Sequence, residues 1–205
     1  MDQKYQEILD KAIQMFERIG IRSVSMDDLA QELHMSKKTI YQYFKNKEEL
    51  VVAMLNGHLN RDLVGYECIC KQENLNAIDI LLRVSQEVCL HINQTNHKHM
   101  FELKKYYPEQ FLHFWNAKRQ TIHDNIKENI EQGIAQKLYR DDLNIELITN
   151  LYVRRLEDFS IANEEMFKEF NIEEVFKTMF ESHIRGISNT NGIAYFEKKK
   201  KELNY

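Results

Sequence analysis

A single proline, Pro108, and six glycines are all that interrupt 205 residues, so little in this chain stops a helix once one has begun. Charged residues make up 29% of the sequence, and few segments alternate β-branched with polar side chains. Both features predict an all-α protein, long enough for one core or two small ones. No run of 18 or more apolar residues occurs, and the opening MDQKYQEILD is polar and acidic, unlike a signal peptide. The expectation is a cytoplasmic protein with no membrane partner. The cysteines Cys68, Cys70 and Cys89 are odd in number and lack zinc spacing, which fits reduced thiols.

Within this helical chain, residues 36–47 stand apart because they carry four lysines and no acid. Ser36 is placed to accept from the unpaired N–H groups of a helix running from Lys37 to about Tyr43. A second short helix precedes it, with Ser25 as its cap, Asp28 in capping-box position and Leu29, Ala30 and Leu33 as its apolar stripe. His34 and Met35 join the two, a connection that suits a helix-turn-helix. Ile40, Tyr41 and Phe44 are expected to pack inward. Lys37, Lys38, Thr39, Gln42 and Tyr43 then face solvent, where they suit a major groove: lysines for phosphates, Thr39 and Gln42 for base edges or backbone, and the Tyr43 hydroxyl for a phosphate oxygen.

Ser36, Thr39, Tyr41, Tyr43-Phe44, Lys47 and Glu49-Leu50 resemble the DNA-binding signature of TetR-family transcriptional regulators. The resemblance covers roughly residues 5–55. It includes a first helix with Tyr5, Ile8, Leu9, Ala12, Phe16 and Ile19 at helical spacing, a stop at Gly20, and the run Ser25-Met-Asp-Asp-Leu-Ala. It implies a three-helix DNA-binding domain over residues 1–46, followed by a helical ligand-binding and dimerisation domain of about six helices over 47–205. It also implies DNA contacts from Ser25, Ser36, Lys37, Lys38, Thr39, Tyr41, Gln42, Tyr43 and Lys47, with operator duplex as the partner. The formal charge of −4 argues against nucleic acid only if charge is evenly spread, and here the basic segment is set against an acidic body.

Beyond it, Asn46 and Glu49 can cap a fourth helix that continues past Arg61. A break follows at Asn74 to Asn76, then a helix marked by Ile78, Leu81, Leu82, Ser85, Val88 and Ile92. A polar loop is expected from Asn93 to His99 and a short helix ending before Pro108. Further helices are expected from about Lys118, from about Asn144 to Ile161 and from about Ile172 to Ile187, with Ser188 to Gly192 as a turn.

Ile148, Leu151, Tyr152, Arg155 and Phe159, with Phe176, Met179, Phe180, His183 and Ile187, form two broad stripes that could build a four-helix interface between subunits. Two heads at half-sites roughly 34–36 Å apart bind better than one, so a homodimer is expected. The aromatic cluster Met100, Phe101, Tyr107, Phe111, Phe114 and Trp115, with His91 or His123 as a polar handle, is either plain core or the lining of a small-molecule effector pocket. His97 and His99 lack a third ligand, so no metal is expected, and no cofactor. No phosphate loop, zinc-protease motif or nucleophile constellation marks an enzyme. A helical interaction protein or ligand carrier with incidental DNA binding is the alternative class, and the basic segment argues against it.

Overall fold

The computed structural model describes residues 2–92, 97–160 and 169–203, which contain ten helices. These are α1 (Gln3–Ile19), α2 (Met26–Glu32), α3 (Lys37–Tyr43), α4 (Lys47–Cys70), α5 (Ala77–Ile92), α6 (His97–Tyr106), α7 (Pro108–Ala135), α8 (Ile145–Ser160), α9 (Ile172–Ile187) and α10 (Thr190–Glu202). An isolated antiparallel bridge joins Tyr139 and Ser188. The chain divides into two compact units: Met1–Leu63 with Asn96–Lys118, and Val64–Thr95 with Arg119–Tyr205. The first unit thus extends beyond the expected limit at residue 46 and takes in α6 and the start of α7.

In the first unit, Asp2 caps α1 by accepting from the Lys4 N–H at 2.9 Å. Ile8, Leu9, Ala12, Met15 and Phe16 form its buried stripe. Against them lie Leu29, Ala30, Ile40, Phe44, Leu50, Val51, Met54 and Leu55, and the same core holds Leu103, Phe111, Phe114 and Trp115. Each fully buried side chain of this size contributes about 1.5–3 kcal/mol, far more than the exposed ion pairs around the rim. Gly20 ends α1 at φ +91°, and a Cβ there would lie 2.9 Å from the Glu102 carboxylate. Glycine is therefore required both by the backbone and by the neighbour.

The second unit buries Ala77, Ile78, Leu81, Leu82, Ile126, Ile130, Tyr139, Tyr152, Phe180, Ile184, Ile187 and Phe196 together. Asn129 ties this core internally, donating to the Ala77 carbonyl at 2.9 Å and accepting from the Tyr139 hydroxyl at 3.1 Å. A Cβ on Gly133 would meet the Tyr139 ring at 2.0 Å, so the glycine inside α7 makes room for that ring.

Three local expectations are corrected. A short helix, α6, does end before Pro108, but the long helix expected from about Lys118 begins ten residues earlier: Pro108 is the first residue of α7, where its missing N–H costs nothing. His97 to His99 lie in α6 rather than in a loop, while residues 93–96 fall outside the described residues. Ser188 to Gly192 is not simply a turn: the Asn189 side chain accepts from the Asn191 and Gly192 N–H groups and starts α10.

Candidate nucleic-acid interface

The helix-turn-helix is built from local caps. Ser25 Oγ accepts from the Asp28 N–H at 3.1 Å while the Asp28 carboxylate accepts from the Ser25 N–H at 2.8 Å, a complete capping box at the start of α2. The Ser25 hydroxyl, which donates to the Asp28 carboxylate at 2.7 Å, and the Ser25 N–H hold that carboxyl below its usual range. The chain turns at His34, at φ +52°, and Ser36 starts α3 by accepting from the Thr39 N–H at 3.1 Å. Asn46 Oδ1 accepts from the Glu49 N–H at 2.9 Å, and Glu49 reaches back to the Lys45 N–H at 2.7 Å, which starts α4.

α3 buries Ile40, and Phe44 beyond its end stacks on Tyr5 with ring centroids 4.7 Å apart. Tyr41, expected to pack inward, is 47% exposed, because on a seven-residue helix the stripe through Ile40 and Phe44 leaves the intervening position about 100° away. Tyr43 is half-buried, and its hydroxyl donates to Asp2 Oδ2 at 3.1 Å. Lys37 Nζ lies 2.5 Å from Asp27 Oδ2, and that carboxylate raises the lysine's pKa. Lys38 and Gln42 are exposed.

Lys47 sits differently from the others. Its ammonium donates to the Arg22 carbonyl at 3.2 Å. Burial pushes its pKa down, with the Glu102 and Asp28 carboxylates opposing that shift. Glu102 on α6 accepts from the Arg22 N–H at 3.2 Å, so both backbone polar groups of Arg22 are held. The Arg22 side chain donates to the Tyr106 hydroxyl at 2.8 Å and lies over that ring. The Glu102 and Tyr106 contribution, one helical turn apart on α6, had no local signal in the sequence: its partners are 80 and 84 residues away.

Most of the aromatic cluster of the sequence lies in the first unit. Phe111, Phe114 and Trp115 are core of the first unit, Tyr107 packs partly against them, and Phe101 is 61% exposed. His123 belongs to the second unit, where its ring meets Asp124 and Glu146. The side chains of His91, Met100 and Phe159 lie outside the described residues.

Most members of the two stripes expected at a subunit interface are buried or half-buried within the second unit. Tyr152 of α8 stacks on His183 of α9 with ring centroids 3.8 Å apart. Phe176, Phe180 and Ile187 are also buried, while Ile148 and Met179 are half-buried. Leu151 and Arg155 are exposed, and Leu147, one turn before Leu151, is exposed as well.

Residues 8–54, spanning α1 to the first turns of α4, match the family model of bacterial regulatory proteins, tetR family. The uncharacterized HTH-type transcriptional regulator YvkB of Bacillus subtilis (strain 168) is 26% identical over 159 residues, 73% of this chain and 81% of its own length. The HTH-type transcriptional repressor KstR2 of Mycobacterium tuberculosis is 23% identical over 144 residues, 69% of this chain and 72% of its own. A solved transcriptional regulator from Cytophaga hutchinsonii ATCC 33406 matches with a TM-score of 0.74 at 18% identity, covering 92% of this chain and 100% of that one. At that identity the likeness speaks for the fold. The family match lies on the capped helix-turn-helix, so residues 8–54 carry the DNA-binding domain of the tetR family of bacterial regulatory proteins, and the fold of nearly the whole chain is similar to that of a solved transcriptional regulator.

Proposed function

We propose that this protein is a homodimeric, sequence-specific DNA-binding repressor that works in the cytoplasm and releases its operator when a small-molecule effector binds the second unit. The observation that carries the DNA reading is α3 itself: a Ser36-capped helix anchored by Ile40 that presents Lys38 and Gln42 to solvent beside Lys37 and Tyr43. Lys37, Lys38 and Tyr43 supply donors for phosphates, Gln42 and Thr39 for base edges, and the Ser25 and Ser36 caps fix the register of the two helices. Tyr41, exposed on the same short helix, joins this set, whereas Lys47 holds the Arg22 turn from behind.

Repression is supported by the relative KstR2, which is named a repressor. Dimerisation through α8 and α9 is supported by Leu147 and Leu151, an exposed apolar pair one turn apart. The effector need only favour a spacing of the two heads that no longer fits the operator; a coupling of about 1–3 kcal/mol changes occupancy from several-fold to over a hundredfold.

Selection from a random duplex library tests the reading. The expected product is a site with two-fold symmetry whose half-sites are roughly one helical turn, 34–36 Å, apart. Failure to enrich any sequence through repeated rounds would contradict it.

A further inference from the structure

On the face that the proposed function assigns to DNA, two of the phosphate-binding donors already hold anions from the protein's own chain. Lys37 Nζ is 2.5 Å from Asp27 Oδ2. The Tyr43 hydroxyl donates to Asp2 Oδ2 at 3.1 Å, while the other oxygen of that carboxylate caps α1. Lys38, between them on the same helix, has no ion pair among the described residues.

We propose that Asp27 and Asp2 act as internal phosphate surrogates that hold Lys37 and Tyr43 in the unbound protein and restrain binding to DNA of arbitrary sequence. This inference rests on the DNA-reading function proposed above.

The physical argument is one of exchange. A carboxylate and a phosphate present the same kind of anionic oxygen to the same donor, so a DNA phosphate gains only the difference between them. The displaced carboxylate also stays within a few ångströms of the DNA backbone, inside the ~10 Å Debye length at 0.1 M salt, where like charges repel. Non-specific binding consists almost wholly of such backbone contacts and has little else to drive the exchange. The pairing also explains an otherwise costly arrangement, since two carboxylates on a DNA-facing surface weaken attraction to the duplex. Lys37 carries the charge, so releasing it adds one neutralised phosphate; Tyr43 is neutral, and its release adds a hydrogen bond.

Binding of a 30-bp mixed-sequence duplex to the full-length protein, measured at 50 and 200 mM KCl for the wild type, Asp27→Asn, Asp2→Asn, Lys37→Ala and the Lys37→Ala/Asp27→Asn double variant, tests this. Asparagine is as good a helix cap as aspartate, so Asp2→Asn leaves the start of α1 intact. Asp27→Asn is expected to raise affinity about threefold to tenfold at 50 mM, with the salt slope steeper by about 0.9. Asp2→Asn is expected to raise it about twofold to threefold. In the Lys37→Ala background the gain from Asp27→Asn should shrink to the small part that charge repulsion alone supplies. A gain of undiminished size there would show a general charge effect and overturn the assignment. So would a folded Asp27→Asn protein with weaker binding, which would make Asp27 a positioning residue for α3. Wild-type binding that is salt-dependent but unchanged by either asparagine would overturn the surrogates alone. Absence of salt-dependent binding in every variant would remove the DNA-reading function and the surrogates with it.

Discussion

Gln42 and Lys47 show how differently two residues of one motif can act. Gln42 is exposed on α3 with Ile40 as its anchor, so Gln42→Ala should relax the preference at one base position by about 1–3 kcal/mol while leaving random-sequence affinity nearly unchanged. Equal loss on specific and random duplex would contradict base reading. Lys47 is committed to the Arg22 carbonyl, so Lys47→Met, which keeps the aliphatic stem, should lower stability by about 1 kcal/mol and the melting temperature with it. The caps at Ser25, Ser36 and Asn46 were legible in the sequence because each bonds an N–H three residues away. The position of Lys47 was not, because Glu102 and Tyr106 return to the Arg22 turn from α6, about 80 residues further along the chain. The outward side of Tyr41 was misjudged for a related reason: helical spacing names a stripe, and on seven residues that stripe is narrow.

Among the elements, α7 and α9 each carry a constraint that a single substitution can test. Gly133→Ala would place a methyl 2.0 Å from the Tyr139 ring, and the ring is pinned by its hydroxyl to Asn129. Overpacking of this kind costs about 1–3 kcal/mol or more, and thermal unfolding should show the loss despite alanine's better helix propensity. On α9, burial and the nearby Arg155 charge push His183 down to about 4 from its ordinary 6.5. The folded state therefore binds fewer protons than the unfolded state between these values, and stability rises with pH across that window. The contribution is full above about pH 6.5 and is lost as pH falls through about 4, a change of roughly 3 kcal/mol. His183→Phe, which keeps a ring against Tyr152, should flatten the acid limb of the melting profile; an unchanged limb would assign it to carboxylates. Helix existence along α5, α8 and α9 was legible from apolar spacing, and that of α4 from its cap at Asn46 and Glu49. Which neighbour each stripe meets was not, since the pattern of Tyr152 and His183 is the same whether they pack within a chain or between two. The start of α10 was hidden because Asn189 can serve a turn or a cap, and only its bonds to Asn191 and Gly192 decide.

At the scale of the molecule, the proposed operator recognition takes two copies acting on one duplex. Leu147 and Leu151 are the exposed apolar pair on α8, and Leu151→Glu should convert a dimer to monomer in sedimentation and reduce operator affinity at least tenfold, because the two half-sites are no longer linked. Fold class and the DNA-binding motif were accessible from sequence because both depend on short-range patterns. The compact unit extending to Leu63 and joined by 96–118 was not, because its core is completed by Phe111, Phe114 and Trp115 from a distant segment. The most direct test is a titration of the purified protein against duplex fragments from around its own gene, with shuffled fragments alongside, at 50 and 200 mM salt. One fragment is expected to bind at least a thousandfold more tightly than its shuffled counterpart, roughly the lower bound for specific recognition, with an affinity that falls with salt. Equal, weak binding to every fragment would contradict it.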